Sequence, residues 1–381
     1  MSEKVLNIAI VLNIVPSYRE GFYDILLARD DLDVKVYAQT HIPGLKLNLI
    51  HARYPDHVHL VKFFGAKREK VVWQCLPFYS LFTKYDLVIV DGNPRQLSHM
   101  VLATLLRFSG KKVVLWTMAH SFRGISLTEN IRLVWTRIFK YIFVYTDAEV
   151  EFLREKGFKK QFIIGMNNGL NQRKIDDLVS DWSPSKLEKW RDGNNLKGKL
   201  LLLSCARLDP KNKFDLIVHA LPIMVEKYPN LIWCIIGKGV EEVRLRELVN
   251  EKGLMNHVRF LGEIYDESLL SPWFLSSEIL IHPAAVGLSL LHSFGYGLPV
   301  ITNGNKALHG PEYAAFESGK TGSNYIENNF NDLASVTIKL LEDSDGRNRM
   351  KSHTRKIVHE QYNSEIMIQR FMEIVNEAAK N

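Results

Sequence analysis

The residues best placed to do chemistry lie in the stretch IHPAAVGLSLLHSFGYGLPVITN, 281–303. An apolar run stops at Pro283, a glycine follows at Gly287, and a helix-like run SLLHSFGYG leads to Gly297-Leu298-Pro299 and a second apolar run. That pattern reads as strand, glycine turn, helix, strand. Backbone N–H groups converge at such a turn, and the helix dipole there favours negative charge. In an open α/β sheet it is where a phosphate-bearing ligand sits, so Gly287, Leu288 and Ser289 are candidate binding residues. A second cluster, CARLDPKNKFDLIVHAL (205–221), follows another apolar run. Its Arg207, Lys211 and Lys213 put fixed positive charge at a strand end, as stabilising a diphosphate leaving group requires. The plain alternative is a solvated basic turn.

Three further signals are weaker. In IIGKGVEE, Gly237 and Gly239 permit close backbone approach to a ligand. Glu242 occupies the third glycine position of a dinucleotide fingerprint, so that fingerprint is absent. His120 ends the run KKVVLWTMAH, where a strand-end histidine would face a cleft. SGKTG (318–322) lacks the first glycine and the preceding strand of a phosphate loop, and Asp343-Ser344-Asp345 reads as a turn rather than a metal site.

The elements that must position these residues recur regularly. Short apolar runs at 5–14, 33–39, 85–92, 111–120, 141–146 and 161–168 are separated by helical material, and so are runs at 199–208, 231–239, 257–263, 277–284, 298–303 and 321–326. Such alternation predicts βαβ units and parallel sheets. The expected architecture is α/β, with two Rossmann-like, doubly wound parallel-sheet domains facing an interdomain cleft. A polar stretch ending in Asp192-Gly193-Asn194-Asn195 puts the boundary near residue 195. The expected divisions are 1–195, 196–360, and a C-terminal helix over 361–381 that crosses back onto the first domain.

Composition narrows the class. The 381 residues are 46% hydrophobic and 24% charged, the balance of a globular protein with two good cores. The net charge of +7 suits an anionic surface, but the basic residues are dispersed rather than striped, and nucleic acid is not an expected partner. Cys75, Cys205 and Cys234 have no metal-ligand spacing, so no metal is expected, and their number fits a reducing, cytoplasmic setting. No apolar run reaches the ~18 residues of a membrane span. The first run has no cleavage site after it, which argues against an exported binding protein.

In their order along the chain, RLDPKNKFDLI, IIGKG, VRFLGEI, ILIHPAAVGLSLLHSFGYGLPVIT and GPEYAAFESGKTG resemble the C-terminal half of glycosyltransferase family 4. TMAHSF and YTDAEVEFLREKGF…NNGL resemble the second half of its N-terminal domain. The resemblance covers most of the chain and implies a GT-B fold. It also implies metal-independent transfer, with retention, of a sugar from a UDP- or GDP-type nucleotide sugar; no other cofactor is implied. The bacterial surface-polysaccharide branch is the nearest in pattern. A glycan or lipid-linked acceptor would meet the N-terminal domain, around VPSYREGFYDIL and Gly92. Tyr18 and Arg19 either touch the acceptor or cap a helix there, and an anionic membrane leaflet is a further expected partner.

Carried over by residue, Arg207 matches the diphosphate arginine and His120 the histidine near the donor sugar. Gly262, Glu263 and Ile264 match the segment lying against the base. Gly287 and Leu288 match the donor turn. The family's lysine falls on Asn212, which leaves Lys211 or Lys213, and Lys213 is favoured. The family's paired glutamates fall on Ala284 and His292; both are missing, and His292 is the expected ribose ligand. An epimerase or phosphorylase on the same fold, or a non-catalytic nucleotide-binding partner protein, are the competing readings.

Overall fold

The computed structural model describes residues 5–42, 49–65, 71–119 and 127–380. The chain divides into two compact units, residues 1–171 with 363–381, and residues 172–362.

Unit 1 contains β1 (Leu6–Val11), β2 (Leu32–Ala38), β3 (Val58–Leu60), a small antiparallel hairpin of β4 (Phe63–Gly65) and β5 (Val72–Gln74), then β6 (Leu87–Asp91), β7 (Lys112–Trp116), β8 (Tyr141–Val144) and β9 (Phe162–Gly165). Seven of these form a parallel sheet in the order β3-β2-β1-β6-β7-β8-β9. Strand side chains alternate between faces. Ile8, Ile10, Val34, Val36 and Ile89 enter one core, while Ala9, Val11, Val88 and Val90 enter the other. Burial on both faces explains why these strands read as near-continuous apolar runs. The last helix, Ser364–Lys380, packs on this sheet: Phe371 meets Phe22 at 5.6 Å and stacks on Phe143 at 5.6 Å.

Unit 2 contains β10 (Leu200–Cys205), β11 (Leu231–Ile236), β12 (Val258–Gly262), β13 (Ile279–His282), β14 (Val300–Asn303) and β15 (Gly322–Tyr325). They form a parallel sheet in the order β12-β11-β10-β13-β14-β15. With the hairpin set aside, both sheets follow the dinucleotide-fold order, in which the first strand lies beside the fourth.

The division falls at Asn171/Gln172, not near residue 195. The polar stretch expected to be a linker is instead two helices, Gln172–Ser180 and Pro184–Gly193. They are anchored in unit 2 by Trp182 Nε1 donating to Ser271 Oγ (2.9 Å) and by Trp190 packing edge-on to Trp273. Asp343 is not in a free turn: its side chain accepts the Gly346 N–H and caps the helix Ser344–Glu360. No helix among the described residues is long and apolar enough to cross a membrane.

Candidate functional site

In unit 2 the strand order reverses between β10 and β13. Ligands of open α/β sheets bind beyond the carboxyl ends of the strands at that point. The two chemistry-bearing stretches of sequence emerge on either side of it.

The loop after β10 is clamped from below. Ala206 N–H donates to Ile236 O (3.0 Å) and Leu208 N–H to Lys238 O (2.9 Å). A Cβ on Gly237 would stand 2.0 Å from Ala206 O, and one on Gly239 would stand 2.1 Å from Leu208 O. A side chain at either position would strike the backbone carrying Arg207, so these glycines let the two loops pack together and hold the arginine loop in place. Asn212 turns inward, buried, with its amide donating to Arg207 O (2.6 Å). Lys213 adopts a left-handed backbone (φ 51°), and its amine reaches Asn328 Oδ1 at 2.7 Å and Glu327 Oε1 at 3.3 Å. Lys211 is largely exposed, 4.0 Å from Asp209, which is also 4.0 Å from Arg207 Nε. Beyond β12, Gly262 takes a positive φ of 73°, and its carbonyl accepts the Gly237 N–H (2.7 Å). Exposed Glu263 hydrogen-bonds Tyr265; burial and this bond raise the Tyr265 pKa, while Arg207 pulls it down. Ile264 is half-buried beside them.

Across the crevice, the turn after β13 is held by its neighbours. Asn303 Nδ2 donates to Pro283 O and Ala284 O, and Tyr325 Oη donates to Pro283 O at 2.6 Å. His309 Nδ1 accepts the Val286 N–H (3.1 Å), so its Nε2 carries the proton and donates to Asn303 O (3.0 Å). Burial holds the His309 pKa below its ordinary value, which suits that neutral tautomer. Gly310 N–H completes the clasp on Val286 O at 3.0 Å. The helix Leu288–Gly295 then starts at Gly287 with no side-chain cap and no acidic residue in its first turn. Its leading N–H groups and dipole are aimed at the crevice side of Leu288 and Ser289.

The same clasp brings in a residue that sequence reasoning passed over. Glu312 is buried, and its Oε2 lies 3.7 Å from where a Cβ on Gly287 would stand and 2.8 Å from that of Gly310. A carboxylate thus borders the Gly287 turn although position 284 is alanine. The motif HGPEY contains it, but only its packing against Gly287 reveals it.

His292, expected to be a free ribose ligand, is already engaged. Its Nε2 meets Glu267 Oε1 at 2.5 Å, and Tyr296 Oη donates to the same oxygen at 2.6 Å. Burial works to raise the Glu267 pKa, yet the bonds from His292 and Tyr296 hold it below the ordinary carboxylate range. The Tyr296 hydroxyl is raised by burial and by Glu267. A glutamate from the helix Glu267–Ser276 therefore stands beside the histidine that replaced one. His120 lies outside the described residues. Among the described residues no cluster of three or more His, Cys, Asp or Glu side chains could hold a metal ion.

Comparison with known proteins agrees with this geometry. Residues 186–357, within unit 2, match the family Glycosyl transferases group 1. The GtfA subunit of UDP-N-acetylglucosamine--peptide N-acetylglucosaminyltransferase from Streptococcus agalactiae is 24% identical over 58% of this chain and 42% of its own length. Phosphatidyl-myo-inositol mannosyltransferase of Mycolicibacterium smegmatis is 24% identical over 44% of this chain and 42% of its own. The chain thus spans less than half of either relative. Anabaena Alr3699/HepE, solved in complex with UDP, superposes with a TM-score of 0.72 at 16% identity, covering 98% of this chain and 100% of that one. The chain has the GT-B fold, and most of unit 2 is similar to the glycosyl transferases group 1 family.

Proposed function

We propose that this protein is a retaining glycosyltransferase that moves a hexose from a nucleoside diphosphate sugar to a glycan or lipid-linked acceptor, without a metal ion, in bacterial surface-polysaccharide synthesis. The observation that carries the reading is the convergence of the clamped Arg207 loop and the uncapped Gly287 helix start on one sheet-reversal point, within the stretch similar to the group 1 family. Arg207, with Lys213 or Lys211, and the amides after Gly287 stabilise charge gathering on the leaving diphosphate. The acceptor oxygen bonds to the anomeric carbon as the bond from that carbon to the diphosphate oxygen breaks. The acceptor proton passes to a β-phosphate oxygen. Glu312, beside the turn, orients donor hydroxyls in place of the glutamate absent at 284. Glu267 and His292 together offer the ribose a polar pair. His120 contacts the donor sugar.

The test is saturation-transfer NMR against UDP, GDP, CDP and TDP in the presence of EDTA, followed by release of the bound nucleotide from its sugar. Selective binding of one diphosphate supports the reading. Failure of all four overturns it in favour of a partner protein that has lost donor binding, the reading favoured by the absence of both family glutamates.

An acceptor at a cytoplasmic membrane face is supported by an apolar stripe on the helix Leu97–Phe108, where Leu97, Val101, Leu105 and Phe108 are exposed at helical spacing. Ile131 and Val134 of the helix Leu127–Thr136 are exposed as well, and Trp135 links that helix to Thr104. Co-sedimentation with anionic vesicles at low salt is expected, and Phe108→Ser should weaken it severalfold. No sedimentation would remove the membrane from the proposal.

A further inference from the structure

The sheet of unit 1 has its own reversal point, between β1 and β6, and a cavity of about 500 Å³ opens there at the carboxyl ends of β1, β6, β7 and β8. Its electrostatics are unusual. Arg19, only 6% exposed, lies in the cavity wall with its guanidinium 4.5 Å above the Trp116 ring and about 6 Å from the rings of Tyr18 and Tyr145. Its Nε has no hydrogen-bond partner, and among the described residues no carboxylate lies within ion-pair distance of it. The Tyr23 hydroxyl is a neutral neighbour of the guanidinium, so the buried charge is met by polar and aromatic groups but by no carboxylate in contact. The nearest acid, Asp91, is itself pushed up to about 7 by burial against the pull of Arg19, so near neutral pH it is a weak counterion. Glu149, the other buried carboxylate of this region, is spent on the N–H groups of Ala119 (2.8 Å) and Tyr145 (2.7 Å). Arg95 and Arg132 line the same cavity, opposite a single Asp.

A concave site with aromatic walls and a few polar groups is the form that small-molecule sites take, and a planar guanidinium pairs best with a carboxylate or a phosphate. We propose that Arg19 receives an anionic group, a phosphate or a carboxylate carried on a sugar, in the cavity of unit 1. The assignment of this ligand as the acceptor rests on the transfer reading above; the anion site itself does not.

The test uses the full chain labelled with 5-fluorotryptophan, because Trp116 lies under Arg19 and gives a signal from the cavity wall. The Trp116→Phe variant assigns the resonance. The probes are methyl α-glucoside, its 6-phosphate, and methyl α-glucuronide. The expected result is a saturable shift of the Trp116 signal with one or both anionic probes and none with the neutral glycoside. The shift should be abolished in Arg19→Met, weakened roughly tenfold in Arg19→Lys, and unchanged in Arg207→Ala. A response to the phosphate alone identifies a phosphorylated or lipid-phosphate acceptor, and a response to the uronide alone identifies an acidic sugar. An equal response to the neutral glycoside, no response to either anion, or a response that survives Arg19→Met overturns the proposal. Should Arg19→Met misfold, as its fluorine dispersion would show, Arg19→Lys carries the comparison. A chain that binds the anion yet transfers no sugar keeps the site and loses only its name as an acceptor site.

Discussion

The two sheet-reversal points of this molecule are built on one topology and furnished in opposite ways. In unit 2 the crevice is edged by backbone: a glycine-clamped loop, an uncapped helix start, and basic side chains that remain partly exposed. In unit 1 the cavity is edged by rings, with a buried guanidinium and a carboxyl that has lost most of its acidity. Backbone amides suit a ligand whose charge is constant, such as a diphosphate, because they need no side-chain ordering to bind it. A buried arginine on an aromatic floor suits discrimination between ligands, since the wrong partner leaves a costly unpaired charge. On the proposed reading, the same fold separates general anion holding from selection.

The largest effect that would test this contrast is Arg207→Ala, expected to lower transfer by about 10²-fold or more with unchanged circular dichroism; near-normal turnover would sink the role of unit 2. Next, Glu312→Gln should lower kcat/KM about tenfold while leaving nucleoside diphosphate affinity nearly unchanged, if the carboxylate beside Gly287 orients the donor sugar as proposed. A loss of diphosphate affinity instead would place Glu312 on the phosphates. Gly239→Ala should cost about 2–4 kcal/mol in urea melts, because the added methyl meets the Leu208 carbonyl. Gly110→Ala, also a glycine but with open space around it and a φ of 79°, should cost only about 1 kcal/mol.

Smaller and more telling is the response to pH. Asp91 titrates near 7 when folded and near 3.8 when unfolded. Its contribution is therefore fully favourable below the unfolded value and declines as pH rises toward 7. Asp91→Asn should stabilise the protein at pH 8 by about 1–3 kcal/mol, less than full burial would give because the cavity admits water. His99 in unit 1 and His282 in unit 2 are held neutral by burial, with pKa values down to about 4. Their stabilisation is present above pH 6.5 and lost as pH falls toward 4. In unit 1 the Asp91 and His99 trends oppose each other; in unit 2 nothing opposes His282 over that window. Hydrogen exchange at pH 5 against pH 7.5 should therefore show unit 2 losing protection first. Equal loss in both units would erase this part of the contrast.

Much of this was legible beforehand, because strands buried on both faces write themselves as apolar runs and a helix start between two strands writes itself as a glycine turn. The alternation of runs, Arg207 just past a strand and Gly287 at a helix start needed no coordinates. Other features were misread or missed for one reason: they depend on partners far along the chain. His292 could not be known to meet Glu267, 25 residues away, nor Gly237 to be filled by Ala206 O. The polar stretch before residue 195 looked like a linker because its anchoring tryptophans meet Ser271 and Trp273, far downstream.

The sequence by itself determined the periodicity, the two parallel sheets and the glycine and arginine positions at the edge of one of them, since those follow from local sterics and from which side chains leave water. Only the tertiary structure decided that Glu312 borders the Gly287 turn, that Asn212 faces inward, and that Arg19 is a buried cation with no carboxylate in contact among the described residues. Burial and electrostatic pairing are properties of neighbours in space, and chain order does not specify them.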